Sequence, residues 1–141
     1  LIQQEIRDTI YDNIQLPAVV TGYRTPELNH KDFYAVDMLT MLLSEGNSSR
    51  FNKNIVEKQQ IATVAFSFPF PLEDPGIAIS LALARVDVDL KDLEAALEKE
   101  VEDIQQNLIS DLEFEKLRNM IESNYVSSNS TMAGIAESLA D

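Results

Sequence analysis

The chain has 141 residues, a formal net charge of −13 from 24 acidic and 11 basic residues, and no cysteine. These values fit one globular domain, exclude disulfides and thiolate metal sites, and argue against a nucleic-acid partner, because an acidic surface repels phosphate. No apolar run approaches the ~20 residues that are needed to span a bilayer, so no membrane span is predicted.

Two strands are predicted in the first part of the chain. Residues 5–11 alternate, with Ile6 and Ile10 on one face, although each face mixes apolar with polar side chains. Residues 17–23 are rich in β-branched and aromatic residues and form the second candidate strand. Pro26 follows and breaks the run.

Two helices are predicted next. Residues 31–44 are strongly apolar, and a helix of this composition is expected to be mostly buried. Gly46 supplies a C-terminal stop, because glycine readily adopts the left-handed conformation at that position. The polar residues 47–49 offer N-caps for a shorter helix over residues 50–58.

Two further strands are predicted over residues 61–68 and 76–86. The intervening residues 69–75 contain three prolines and are expected to lie outside the ladder, because proline lacks the N–H donor. Residues 77–84 are continuously apolar with small residues alternating, which is typical of a strand buried on both faces.

The last third of the chain is predicted to be helical. Asp89 can cap a helix whose apolar side chains recur at helical spacing, namely Leu90, Leu93, Leu97, Val101, Ile104 and Leu108. Ser110 and Glu113 form a capping-box signature for a helix that runs to about Val126. A polar break over residues 127–130 then precedes a final, truncated helix.

The predicted order is β-β-α-α-β-β-α-α-α, and the short connections between paired strands favour antiparallel pairing with the helices on one face. The fold class is therefore α+β, a two-layer sandwich with a mainly antiparallel sheet. Residues 1–141 are interpreted as a single domain. The chain begins with Leu1 and ends inside a predicted helix, so we expect a fragment of a longer protein.

The residue types offer little catalytic chemistry. Zinc catalysis needs three protein ligands, normally including histidines, and the chain has one histidine, His30, which is expected at the surface. No Gly-x-Ser-x-Gly elbow surrounds a serine, and the four glycines are not clustered into a phosphate loop. Carboxylate pairs such as Glu98 and Glu102 are interpreted as solvated helix faces. No catalytic or metal-binding residue is predicted.

Two segments carry a resemblance. Residues 46–51 read Gly-Asn-Ser-Ser-Arg-Phe, and residues 55–62 read Ile-Val-Glu-Lys-Gln-Gln-Ile-Ala. They resemble the insulinase, pitrilysin and mitochondrial-processing-peptidase family of zinc peptidases. Residues 17–23 are similar to the family strand that precedes an Asp-Phe/Tyr-x-(Ala/Leu) helix, here residues 32–36. Residues 110–113 are similar to the start of a long family helix, so the resemblance runs through most of the chain.

In that family each half of a clamshell holds two similar α+β domains, and the zinc motif lies on the first. This chain resembles the second, so the resemblance implies an inactive domain without a cofactor. Such a domain forms part of a chamber around peptide or unfolded polypeptide and supports proteolysis by a neighbouring domain that holds zinc. Its partners would be the other domains of the same peptidase. The alternative is a scaffold domain of a catalytically dead relative, and an unrelated acidic binding module is a third interpretation.

One departure from the family pattern indicates which half of the clamshell this domain belongs to. The half opposite the zinc often supplies an arginine and, seven residues later, a tyrosine. Matched on Gln60, these positions hold Val56 and Thr63. The chain is therefore expected to follow the zinc-bearing domain in one polypeptide, or else to belong to a degenerate half that lost both functions.

Five residues are candidates for contact with the substrate chamber or with partner domains, namely Ser48, Ser49, Arg50, Phe68 and Phe70. Their simpler roles are helix capping for the serines, a carboxylate pair for the arginine, and core packing for the phenylalanines. If Phe68 and Phe70 form an exposed patch, lost interdomain contact explains it. The substrate and oligomeric state stay open. A soluble protein is expected, with the periplasm or cell envelope considered for a bacterial source.

Overall fold

The computed structural model describes residues 4–12, 15–128 and 130. They form the strands β1 (Ala18–Arg24), β2 (Ala62–Phe70) and β3 (Ile77–Ala84), the helices α1 (Phe33–Ser44), α2 (Leu90–Gln106) and α3 (Asp111–Ser128), and a π-helix (Phe51–Lys58). The sheet is antiparallel in the order β1-β3-β2. α1, the π-helix and α2 pack on one of its faces and α3 packs against α1, which confirms the predicted α+β architecture.

The helix-facing side of the sheet is built from small residues. Directly paired residues share a face, so the register places these small side chains together under the helices. The buried set is Ala65, Ser67, Ala78, Ser80, Ala82 and Ala84. Large side chains of α1, the π-helix and α2 pack against it, namely Leu43, Phe51, Ile55, Leu93 and Leu97. Small residues on the sheet therefore let the helix layer approach closely.

The opposite side of the sheet carries large apolar side chains, and no helix of the described residues covers it. We call it the open sheet face, and its members are Ala18, Val20, Gly22, Arg24, Val64, Phe66, Phe68, Phe70, Ile77, Ile79, Leu81 and Leu83. Val20 is 60% exposed and Phe70 is 53% exposed. The prediction that residues 77–84 are buried on both faces is therefore correct on the helix side and wrong on the other, because nothing in the described chain covers that side.

Pro69 lies within a strand, although residues 69–75 were expected to lie outside the ladder. β2 continues through Pro69 and Phe70, which pair with Ala78 and Ile77. The prediction was wrong at this point because β2 is an edge strand. An edge strand has N–H groups on one side that need no ladder partner, so a proline can be accommodated there.

Residues 5–11 do not form the predicted strand. Arg7 instead joins this segment to α2, through Glu94 at 2.8 Å and Glu98 at 3.5 Å. Ile6 and Ile10 are exposed, so neither apolar position of the alternation has a core to face. Alternation predicts a strand only where a neighbouring strand and a buried face are available, and this segment has neither in the described structure.

The predicted helix caps and the predicted glycine stop are mostly confirmed. Asp89 caps α2 by accepting from the Lys91 N–H at 2.9 Å. In the capping box, the Ser110 N–H donates to Glu113 Oε2 at 3.0 Å and the Glu113 N–H donates to Ser110 Oγ at 3.3 Å. Gly46 adopts a φ of +79°, as a glycine stop requires.

Other helix predictions need correction. The predicted helix over residues 50–58 is a π-helix, and the residue before it, Arg50, makes no side-chain cap bond, so the predicted caps at residues 47–49 are not formed. α1 is less buried than expected, since Tyr34 is 76% exposed. Leu108 lies beyond the end of α2 and is 99% exposed. The final helix predicted after residue 130 lies outside the described residues.

Candidate functional site

The structure separates the five predicted contact residues into two groups. Phe68 and Phe70 lie on the open sheet face. Ser48, Ser49 and Arg50 lie at the start of the π-helix, in the helix layer on the other side of the sheet. The sequence therefore identified residues of two different surfaces, and each surface has its own chemistry.

Arg50 is the centre of an ion-pair network, as its simpler predicted role requires. Its Nε and Nη2 atoms donate to the two carboxylate oxygens of Glu113, at 2.9 and 3.3 Å. Its Nη1 atom donates to Asp103 at 2.6 Å. The Arg50 side chain is only 14% exposed. A fork–fork pair of this kind has strict geometry, so Arg50 links the π-helix to both α2 and α3.

Glu113 serves two neighbours with one carboxylate. It receives the Arg50 guanidinium and also accepts from the N–H and the hydroxyl of Ser110. The bond from Arg50 and then the bonds from Ser110 stabilise the ionised carboxylate and lower the pKa of Glu113 from 4.5 to about 2. The helix cap and the tertiary ion pair therefore depend on the same charge.

Stability should fall with acid because of this carboxylate. The pKa of Glu113 is lower in the folded chain than in the unfolded chain, so the unfolded chain binds the proton first as the pH falls. The ionised Glu113 carboxylate contributes fully to the free energy of unfolding above pH 4.5. This contribution is lost as the pH falls towards about 2. We expect Glu113→Gln to reduce the slope of the unfolding free energy in this window, measured by urea denaturation at several pH values.

The exposed Glu122 provides a matched control for that experiment. It lies near Arg118 at 3.7 Å with a side chain 68% exposed. Glu122→Gln removes the same charge from α3 and should leave the slope unchanged. An equal loss of slope in both variants would contradict the assigned role of Glu113.

The serines beside Arg50 differ in exposure. Ser48 is exposed, whereas Ser49 is 1% exposed and its hydroxyl has no hydrogen-bond partner among the described residues. Neither hydroxyl caps the π-helix. Ser48 and Arg50 line a cleft of about 1020 Å³ between the π-helix, α2 and α3. Contact of these residues with substrate stays a prediction, and in this chain Ser49 is not on the surface.

The cleft carries charges of both signs. Lys53, Lys58 and Lys99 line it together with Glu100 and Glu102. Glu100 accepts from Asn54 Nδ2 at 2.9 Å, and burial raises the pKa of its carboxyl group. Such a lining suits internal ion pairing.

Arg7 brings together three carboxylates that the sequence did not associate. Glu5, Glu94 and Glu98 place their oxygens within 4.8 Å of one another. Arg7 pairs with all three, and the first two are its closest partners. The single positive charge of the guanidinium offsets part of the negative charge of the three carboxylates, so ion pairing with Arg7 accounts for their proximity. His30 is elsewhere, where its Nδ1 atom accepts from the Asp32 N–H at 3.2 Å.

The open sheet face is the surface with the clearest capacity to bind another protein. Arg24 is its one charged member, although the whole chain has a net charge of −13. Phe66 and Phe68 stack with ring centroids 6.0 Å apart. Large exposed apolar patches are typical of interaction sites.

Sequence reasoning found Phe68 and Phe70 on this surface and missed its other members. The period-two pattern Val64, Phe66, Phe68 and Phe70 was available, but it was interrupted by the expectation that the strand ends at Pro69. The contribution of β1 depends on the strand register, which is a tertiary property. The membrane prediction is consistent with the structure, since none of the described helices is long and apolar enough to cross a bilayer.

Comparison with known proteins places these features in context. Residues 2–121 match the profile of a family described as the peptidase M16 inactive domain. The chain is 29% identical over 130 residues to zinc protease PqqE of Helicobacter pylori (strain ATCC 700392 / 26695), a match that covers 92% of this chain and 29% of that protein. The chain thus spans less than a third of the length of this relative.

Solved structures give the same picture. A protease from Helicobacter pylori has a TM-score of 0.87 at 27% identity, and the match covers 93% of this chain and 32% of that one. An inactive peptidase domain from Bordetella parapertussis has a TM-score of 0.79 at 21% identity, with 94% of this chain and 72% of that chain covered. The match to the Bordetella parapertussis domain shows a similarity of fold alone.

Proposed function

The chain belongs to the family of peptidase M16 inactive domains, and we propose that it forms part of a peptide-enclosing chamber and supports proteolysis by a neighbouring zinc-bearing domain of the same protein. Family membership confirms the resemblance that residues 46–51 and 55–62 carry. The open sheet face is the observation that supports the chamber role, because it offers a surface for another domain.

The composition of the open sheet face supports a permanent cover. Its central strand, β3, alternates small buried residues with Ile77, Ile79, Leu81 and Leu83, as expected of a strand buried on both sides. Leaving these side chains in water forfeits ~1.5–3 kcal/mol for each one that could be fully buried. We infer that another protein layer covers this face in the complete molecule.

A neighbouring domain is the occupant that fits this face best. The chain spans only 29% of the length of its Helicobacter pylori relative, so proteins of this kind carry further domains. The face is a sheet surface with Arg24 as its one charge. A peptide substrate would instead need convergent polar groups or an apolar pocket for its orientation. We therefore propose that the sheet supports the chamber by holding its domains together.

The domain itself is proposed to hydrolyse nothing. It is an inactive peptidase domain by family, and among its described residues His30 lies apart from the carboxylate cluster around Arg7. Zinc and peptide cleavage are therefore assigned to a neighbouring domain, as the name of the Helicobacter pylori relative suggests for that protein.

The proposal is tested by deleting residues 1–141 from the complete parent protein. We expect the deletion to leave bound zinc in place, measured by metal analysis, and to lower kcat/KM for an unstructured peptide by about 100-fold, since small misplacements of a catalytic site cost that much. Undiminished cleavage would overturn the proposal. A parent that neither binds zinc nor cleaves would identify the alternative, a scaffold domain of a catalytically dead relative.

A further inference from the structure

We propose that the cleft between the π-helix, α2 and α3 is a docking site for a short acidic segment of a separate partner protein. The cleft is formed by elements of the helix layer, so it is a different surface from the open sheet face. The inference concerns a second partner and does not depend on the proposed chamber role.

The basic residues of the chain are concentrated in this cleft. The whole chain has 24 acidic and 11 basic residues, and its net charge is −13. Five of the basic residues line the cleft, namely Arg50, Lys53, Lys58, Lys99 and Lys116. They outnumber the four acidic residues of the lining. A negatively charged partner is repelled by the chain as a whole and finds local attraction here.

Most of the acidic residues in the lining already have partners within the chain. Arg50 donates to both Asp103 and Glu113. Glu100 is only 9% exposed and accepts a hydrogen bond from a side chain of the π-helix. Glu102 is the one carboxylate of the lining without a hydrogen-bonded partner among the described residues. Internal pairing therefore uses up most of the negative charge.

Three lysines of the lining have no such partners. The ammonium groups of Lys53, Lys58 and Lys99 are exposed and form no ion pair or hydrogen bond within the part of the chain that the structure describes. Lys116 makes one long contact, from its Nζ atom to the Glu45 carbonyl at 3.5 Å. The charge that the cleft offers to a partner is therefore positive, and it comes from two walls, the π-helix and α2.

The size and charge pattern of the cleft favour a peptide over a smaller or more densely charged anion. Its volume of about 1020 Å³ lies at the upper end of the range for small-ligand sites, ~300–1,000 Å³. Carboxylates lie among the lysines of the lining, so a phosphate chain with a charge on every unit would meet repulsion. A peptide can place its glutamates and aspartates opposite the lysines alone.

The lining also favours a transient partner over a permanently docked domain. Leu112 is its one apolar residue, whereas permanent interfaces are more hydrophobic. A second copy of the chain is disfavoured, because two chains that each carry a charge of −13 repel one another. Arg50 links the π-helix to α2 and α3, so the cleft is already formed and a short segment can bind with little ordering of this chain.

Fluorescence anisotropy of the complete parent protein with a labelled peptide tests the proposal. The probe is a short peptide of alternating glutamate and serine, and its reference has glutamine in place of glutamate. We expect the acidic probe to bind at least about tenfold more tightly than the reference at about 0.1 M salt. This difference should disappear at about 1 M salt, where charges are screened within ~3 Å. Equal affinity for the two peptides at the lower salt concentration would overturn the proposal.

Substitution of the three lysines locates the binding. Lys53→Gln, Lys58→Gln and Lys99→Gln together should weaken binding of the acidic probe by at least about tenfold, since three ion pairs are lost. Arginine at the same three positions keeps the charges and should keep the affinity within about threefold. Undiminished binding to the glutamine variant would contradict the site.

The matched control removes the same total charge elsewhere on the chain. Lys31, Lys91 and Arg118 do not line the cleft. Their joint replacement by glutamine should leave the affinity for the acidic probe within about threefold of the original value. An equal loss in both glutamine variants would show that only the overall charge matters, which would overturn a site in the cleft.

Two further measurements identify the partner and separate this site from the open sheet face. Sedimentation should give the same mass for the parent protein with and without the three lysines, whereas a dimer that needs them would assign the cleft to a second copy and overturn the proposal. Phe70→Asp disturbs only the open sheet face, so it should leave the affinity for the probe intact. Loss of probe binding in that variant would contradict the cleft as its site. Failure of domain docking and failure of the cleft proposal are thereby distinguished.

Discussion

Replacing Phe70 by aspartate should leave this chain folded and weaken its association with the remaining domains of the parent by at least about 100-fold. Phe70 is 53% exposed in the chain by itself, so a carboxylate there stays hydrated and costs little. In the docked state the substitution loses a buried aromatic side chain, worth ~1.5–3 kcal/mol, and buries an unpaired charge, which costs several kcal/mol more. A loss of about 2.7 kcal/mol already corresponds to 100-fold in affinity.

The measurement is titration of the chain with the remainder of the parent protein by calorimetry, with thermal unfolding of each variant as the check on folding. Tyr34→Asp is the matched control, because it places the same charge at an exposed aromatic position of α1, in the helix layer. It should not change the affinity. Unchanged affinity for Phe70→Asp, or an equal loss in both variants, would remove the open sheet face as the docking surface.

Phe51→Ala should lower the free energy of unfolding by ~3–5 kcal/mol, the range for deleting a fully buried aromatic ring. Phe51 is 0% exposed and belongs to the core cluster where the π-helix meets the sheet and α2. Its neighbour Arg50 closes the ion pairs to Asp103 and Glu113. The two residues therefore anchor the π-helix by different means, one by apolar burial and one by charge.

Urea denaturation measures this loss, with Lys53→Ala as the control. Lys53 lies on the exposed side of the same π-helix, and its truncation should change the unfolding free energy by no more than about 0.5 kcal/mol. A loss below about 1 kcal/mol for Phe51→Ala would contradict the core position assigned to the ring.

Residues 46–51, which resemble a peptidase family, have structural roles in this chain. Gly46 ends a turn in the left-handed conformation, Ser49 is buried, Arg50 pairs with carboxylates and Phe51 fills the core. These contacts explain the segment without any contact to substrate. The stronger indication of function lies on the opposite side of the sheet.

The sequence by itself determined the features that depend on residues a few positions apart. The cap of α2 by Asp89, the capping box of Ser110 and Glu113, and the left-handed Gly46 were all predicted correctly. Each requires only a side chain or a backbone angle next to the groups that it serves, so local sequence contains the whole interaction. The order of strands and helices over residues 17–128 was predictable for the same reason.

The tertiary structure decided the features that depend on distant neighbours. Residues 5–11 alternate like a strand but have no buried face, and Pro69 stays in the ladder because β2 is an edge strand. Arg50 meets Glu113 across 63 positions of sequence. The open sheet face exists only because the register sets β1, β3 and β2 side by side. A single sequence shows the period of each strand, whereas strand order and register arise from packing of the whole chain.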